Sequence, residues 1–150
     1  MDLFLIAHVA GRAVAIDTTE IDSVVDLAPV VAVPRAPGSV RGLTALRSRV
    51  VTVIDTCLAL GLDPMPADAR RAIITRVDGH HYAMLVDALE DVASFVRQPL
   101  SSGLALDRGW AAAGNAMVER DGEPILVIDL ARLVPLPQPL PQPLPQPLAA

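Results

Sequence analysis

From Phe4 to Val134 the sequence sets out one plan twice, and this repeat limits the fold more than any other feature. The first copy opens with Phe4-Leu5-Ile6, turns at Ala10-Gly11 and returns through Val14-Ala15-Ile16-Asp17. The second opens with Ile73-Ile74, turns at Asp78-Gly79 and returns through Met84-Leu85-Val86-Asp87. A glycine between two apolar runs signals a hairpin, because tight hairpin turns need positive φ. A short apolar series follows each return: Ile21, Val24 and Val25 in one copy, Leu89 and Val92 in the other. Each copy then closes on a further hairpin that ends in the same tripeptide, Val53-Ile54-Asp55 and Val127-Ile128-Asp129. Asp17 and Asp87 lie 70 residues apart, Asp55 and Asp129 74.

The register predicts two similar β-rich units of about 60 residues each, too small to bury enough surface alone, packed across a shared apolar seam. Pro64 and Pro66 mark the link between them. Short strands separated by frequent turns favour small barrels or a sandwich over a parallel sheet. Helical turns are expected at Thr56–Leu60, stopped by Gly61, and at Leu130–Val134, stopped by Pro135. The composition is 52% hydrophobic but only 3% aromatic, so Val, Leu, Ile and Ala must fill the core. The domain should span 1–134. Residues 135–150 repeat Pro-Leu-Pro-Gln and hold seven of the fourteen prolines. Proline at alternate positions removes backbone donors, so this tail is expected to be disordered and polyproline-II-like.

The net charge of -5 argues against nucleic acid or an anionic membrane as a general partner. All twelve basic residues are arginine, and Arg35, Arg41, Arg47 and Arg49 fall in the stretch Leu27–Ile54, which holds no acidic residue. Stacking aromatics are too scattered for a single-strand nucleic-acid platform. The lone Cys57, among Leu58, Ala59 and Leu60, reads as a small buried residue of a reducing compartment. No basic leader precedes Leu3–Ala7, and no apolar run approaches the roughly 18 residues of a membrane span. A cytoplasmic location follows.

The sequence offers no expected metal site or cofactor. His80 and His81 are strand neighbours that point to opposite faces, and no cysteine pair or His-Glu-x-x-His pattern accompanies them. Gly-rich phosphate loops and the Gly-x-Ser-x-Gly elbow are missing. The enzymatic alternative is an aspartic-protease-like all-β hydrolase, since Ile16-Asp17-Thr18 and Ile54-Asp55-Thr56 occur in duplicate. The next residues, Thr19 and Cys57, are not the glycines that let two such loops approach. The strand-end aspartates Asp17, Asp55, Asp87 and Asp129 read instead as caps of backbone donors.

The stretch Pro37–Thr56 carries recognition. Gly42, the pair Leu46-Arg47 and the strand end Val53-Ile54-Asp55 resemble the central motif of the CheW-like domain family. The opening hairpin, Pro34 and Pro37, Leu85-Val86-Asp87 through Val92, and Val127-Ile128-Asp129-Leu130 fit the same family in order and spacing over residues 3–134. The resemblance implies an all-β fold of two intertwined five-stranded SH3-like barrels with short helical turns. It implies a non-catalytic chemotaxis adaptor in signal transduction, with two partners: the regulatory domain of the histidine kinase CheA and the tip of a methyl-accepting chemoreceptor. Arg47 would then be the polar anchor, because its planar fork suits a carboxylate or a helix C-terminal carbonyl. Ile21, Val24, Val40 and Leu43 would be apolar contacts, with Gly42 beside them. The chain departs from the family at Ser48, where a turn glycine is usual, at Thr52 for proline, at Ser23 for glutamate and at Ala83 for glycine. A diverged scaffold of a non-chemotactic two-component pathway is therefore a further alternative.

Overall fold

The computed structural model describes residues 1–100 and 106–135. The tail repeat from Leu136 onward lies outside the described residues. Ten strands form two five-stranded sheets: β1 (Asp2–Val9), β2 (Arg12–Asp17), β3 (Ser23–Asp26), β4 (Val40–Leu46), β5 (Arg49–Ile54), β6 (Arg71–Val77), β7 (His80–Leu85), β8 (Ala88–Phe95), β9 (Gly114–Arg120) and β10 (Glu123–Ile128). Among the described residues there are two short helices, α1 (Thr56–Ala59) and α2 (Arg108–Ala113), with single 3-10 turns at Thr18–Glu20 and Leu130–Arg132. The first sheet runs β8-β1-β2-β10-β9 and the second β3-β6-β7-β5-β4.

The duplication is real, yet neither copy folds on itself. The first sheet takes the opening hairpin of copy one and the last three strands of copy two; the second takes the reverse. Each opening hairpin is handed to the other copy and held there by a parallel pair, β2 with β10 and β7 with β5. The fold is therefore the all-β, intertwined pair of SH3-like subdomains, and the simpler picture of two sequence-contiguous units docked side by side gives way to an exchange. The reason is burial. Phe4, Ile6 and Ala15 face one cluster with Ala116, Val118, Ile125 and Val127. Leu5, Val14 and Ile16, on the opposite face of the same hairpin, join the large cluster that contains Ile73, Met84 and Ile54 of the second sheet. A hairpin apolar on both faces is at its most stable in the middle of a sheet, beneath a second sheet.

The open edges of each sheet meet at one isolated bridge. After β3, Val31 exchanges two 2.8 Å hydrogen bonds with Leu43 of β4, and after β8, Gln98 pairs in the same way with Met117 of β9.

The parallel registers also correct the alignment of the repeats. Ala15 faces Val127 as Ala83 faces Val53, so Asp17 corresponds to the fully buried Leu85, not to Asp87. The first copy inserts the turn Thr18–Glu20 where the second passes directly from β7 into β8. Three of the strand-end aspartates cap as expected: Asp17 accepts from the Thr19 N–H, Asp55 from Leu58 and Asp129 from Ala131. Asp87 does not cap a helix. It accepts from the Gly11 N–H at 3.1 Å, across the copies, and so holds the opening turn of β1–β2.

Candidate functional site

The basic stretch Leu27–Ile54 becomes the chain leading to the β4–β5 hairpin, and the fold distributes its arginines to different tasks. Arg47 and Ser48 form the tip, with φ of 50° and 66°. The other three hairpins place glycine second in the turn, at Gly11, Gly79 and Gly122. Here both residues carry side chains in the left-handed region, at a cost of about 1 kcal/mol each. Arg47 is fully presented to solvent and, among the described residues, is engaged by no ion pair. Arg35 is also exposed.

Arg41 turns inward. Its Nη2 donates to Asp55 Oδ2 at 2.8 Å and to the Met65 carbonyl at 2.9 Å, and its Nη1 to the Pro66 carbonyl at 2.9 Å. Asp55, 1% exposed, also accepts from the N–H groups of Leu58 and Met65, each at 3.0 Å. The linker through Pro64 and Pro66 is thus fastened to β4 and β5 by one buried ion pair. Asp17 is held elsewhere, by Thr19 and by an ion pair with Arg97. The two aspartates of the protease-like reading are committed to separate networks, Asp55 to Arg41 and the Leu58 and Met65 N–H groups, Asp17 to Thr19 and Arg97.

Apart from Arg47 at the tip, the five other proposed contact residues divide between the edges of the second sheet. Val40, Gly42 and Leu43 lie on β4, while Ile21 and Val24 lie just before and within β3. The Val31–Leu43 bridge is what joins the two edges. Val24 is exposed and Leu43 half-buried, whereas Ile21 and Val40 lean on the core. Gly42 is buried, and a Cβ there would stand 2.2 Å from the Val31 carbonyl oxygen. Its part is to admit the bridging chain, so it shapes the surface without offering a side chain to a partner.

Exposed apolar residues that the sequence did not single out flank this edge, Val31 at 70% and Val50 at 66%. Alternation along β5 could have flagged Val50, but Val31 depends on a loop path that has no local signal. Recesses also follow the linker between the sheets. One is lined by Arg12 and Trp110 from the first-sheet side and by Cys57, Met65 and Asp87 from the other. Burial, reinforced by the charges of Asp87 and Asp55, pushes the Cys57 thiol up, so it stays protonated. Among the described residues no cluster of three His, Cys, Asp or Glu could hold a metal, and no helix is long and apolar enough to cross a membrane.

A carboxyl pair ties the entry of β3 to the end of the second copy. Glu20 Oε1 accepts from the Leu130 N–H at 3.0 Å. Burial, then its hydrogen bond to the Asp129 carboxyl and the charge of that group, push Glu20 up to about 8. Folding raises this group's proton affinity, so its stabilisation is complete below its ordinary value and is lost as pH rises through about 8. Chemical unfolding at pH 6 and pH 9 should show a loss on the order of 2 kcal/mol, allowing for its partial exposure. Glu20→Gln should largely remove that slope, and a slope unchanged in the variant would show the carboxyl pair is not its source.

The family model for the CheW-like domain matches residues 3–138. The chain is 23% identical over 123 residues to the chemotaxis protein CheW of Thermotoga maritima, covering 82% of this chain and 81% of that protein. Among solved structures, the scaffolding protein TtCheW from Thermoanaerobacter tengcongensis superposes with a TM-score of 0.75 at 21% identity, over 88% of this chain and 91% of that one.

Proposed function

The chain belongs to the CheW-like domain family, and we propose that it acts in the cytoplasm as a non-catalytic adaptor that couples methyl-accepting chemoreceptors to the histidine kinase CheA. The observation that carries this reading is the β4–β5 tip. A turn with positive φ at both central residues presents Arg47 to solvent, and the same sheet and its bridging chain leave Val50, Val31 and Val24 exposed. Arginine is among the residue types enriched at the positions that dominate protein–protein binding energy. A helical receptor tip or a β-rich regulatory domain fits such an edge, with the guanidinium taking a carboxylate or a helix C-terminal carbonyl.

Co-sedimentation of the purified full chain with receptor and CheA tests it. Arg47→Ala should weaken capture several-fold, and Arg47→Glu by about tenfold or more, equivalent to roughly 1.4 kcal/mol. If Arg47→Glu binds both partners as tightly as the parent chain, the site is wrongly placed. The departures at Ser23, Ser48, Thr52 and Ala83 favour a second reading, a diverged scaffold of a non-chemotactic two-component pathway. Capture of a histidine kinase without any receptor would select it.

A further inference from the structure

Each sheet carries, near the end of its central hairpin, a trio of carboxylate, histidine and arginine. In the first sheet, His8 Nε2 of β1 lies 2.7 Å from Glu90 Oε2 of β8, and Arg120 of β9 donates to Glu90 Oε1 at 3.2 Å. In the second, Arg49 of β5 reaches His81 Nε2 of β7 at 2.7 Å, and the same nitrogen stands 3.5 Å from Asp22, just ahead of β3. Both trios join a strand at or entering one edge of the sheet to the hairpin at the other.

What the two imidazoles face differs. His8 meets Glu90 from β8, with Arg120 beyond it on β9, and its other cross-strand partners are the uncharged Ala13 and Ala88. His81 meets Arg49 from β5 and pairs directly across from Arg76 of β6, and the carboxylate within reach is Asp22; Asp78 and His80 belong to its own hairpin turn. A neutral imidazole accepts a hydrogen bond from Arg49. A protonated one has no lone pair to offer and sets a second positive charge against the guanidinium.

We propose that the two histidines form a pair of pH-responsive clamps of opposite sign. Protonation of His8 completes an ion pair with Glu90 and tightens the first sheet's clamp. Protonation of His81 drives it from Arg49 towards Asp22, and the β4–β5 hairpin loses the anchor next to its strained Arg47–Ser48 tip. Histidine side chains in general change charge between about pH 5 and pH 8. Only its consequence for partner docking rests on the adaptor reading; the change in the hairpin does not.

The test follows backbone order by 15N relaxation of the full chain from about pH 8 to about pH 5.5. The heteronuclear NOE at the Ser48 amide should fall by about a third, while that at Gly122, in the β9–β10 turn, rises. His81→Gln and, independently, Arg49→Gln should flatten the Ser48 response and leave Gly122 unaffected. His8→Gln should alter only Gly122. An unchanged Ser48 or an unchanged Gly122 in the parent chain, the same Ser48 response in His81→Gln, or both turns loosening together would overturn the proposal. Because no partner is present, failure here leaves the adaptor reading standing.

Discussion

Cleaving the chain after Ala67 should leave two fragments, 1–67 and 68–150, neither of which folds alone, while an equimolar mixture recovers the native far-UV spectrum. The cut falls in the linker, at exposed residues, and breaks no strand. A chain whose copies folded as separate units would tolerate it. In this fold each fragment keeps its opening hairpin but loses the strands that flank it: β1 and β2 without β8 and β10, β6 and β7 without β3 and β5. The first hairpin would then expose Phe4, Ile6, Leu5 and Ile16, all buried in the intact protein. An isolated hairpin is marginal at best in water, and burying one large apolar side chain is worth about 1.5–3 kcal/mol. Four such side chains exceed the stability expected of a fragment this size. Fragment 1–67 giving dispersed amide resonances and a cooperative urea transition on its own would contradict the exchanged topology.

The second large effect is expected at Asp55. Asp55→Ala removes the N-cap of α1, leaves the Met65 N–H without its acceptor and leaves Arg41 without its counter-charge. Losing one partner of a buried pair costs about 3–5 kcal/mol, most of it from the charge left behind. Urea denaturation should show the midpoint falling accordingly, with Asp55→Asn intermediate because an amide oxygen still caps. The double variant Asp55→Ala/Arg41→Met should recover part of the loss, since no unpaired cation remains. A loss below about 1 kcal/mol in Asp55→Ala would mean that water replaces the carboxylate and the linker is not fastened there.

Much of the architecture was legible in residues 3–134. The hairpin turns at Gly11, Gly79 and Gly122 stand where glycine signals them, because a two-residue turn with positive φ is a local requirement. Thr56–Ala59 and Leu130–Arg132 form under their aspartate caps for an equally local reason. The helix Arg108–Ala113 was not foreseen. It contains Gly109, which weakens the signal of Asp107 at the N-cap and of the three alanines, and its cap makes no side-chain bond. Tertiary contact explains its glycine, since a Cβ there would stand 1.8 Å from the Leu60 carbonyl oxygen.

The contact surface was less legible than the fold. A run of four arginines reads as one basic segment, yet Arg41 is turned inward, Arg49 is exposed but engaged with His81, and Arg35 and Arg47 are exposed. Spacing in a strand gives a side chain's face but not what another strand brings against it. The same Val-Ile-Asp ending likewise led to two outcomes, a buried ion pair at Asp55 and a carboxyl pair with Glu20 at Asp129.

The sequence by itself determined the local elements of this protein: the glycine turns of its hairpins, the aspartate-capped helical turns and the duplication. These depend on interactions among residues close in the chain, which leave their pattern in the order of residues. Only the tertiary structure decided which strands each opening hairpin joins, that Leu85 and not Asp87 matches Asp17, and which arginines remain free. Those outcomes depend on which apolar face finds cover and which charge finds a partner across 14 to 110 residues of chain, as Arg41–Asp55 and Glu20–Leu130 do. Long-range burial of that kind leaves no local trace.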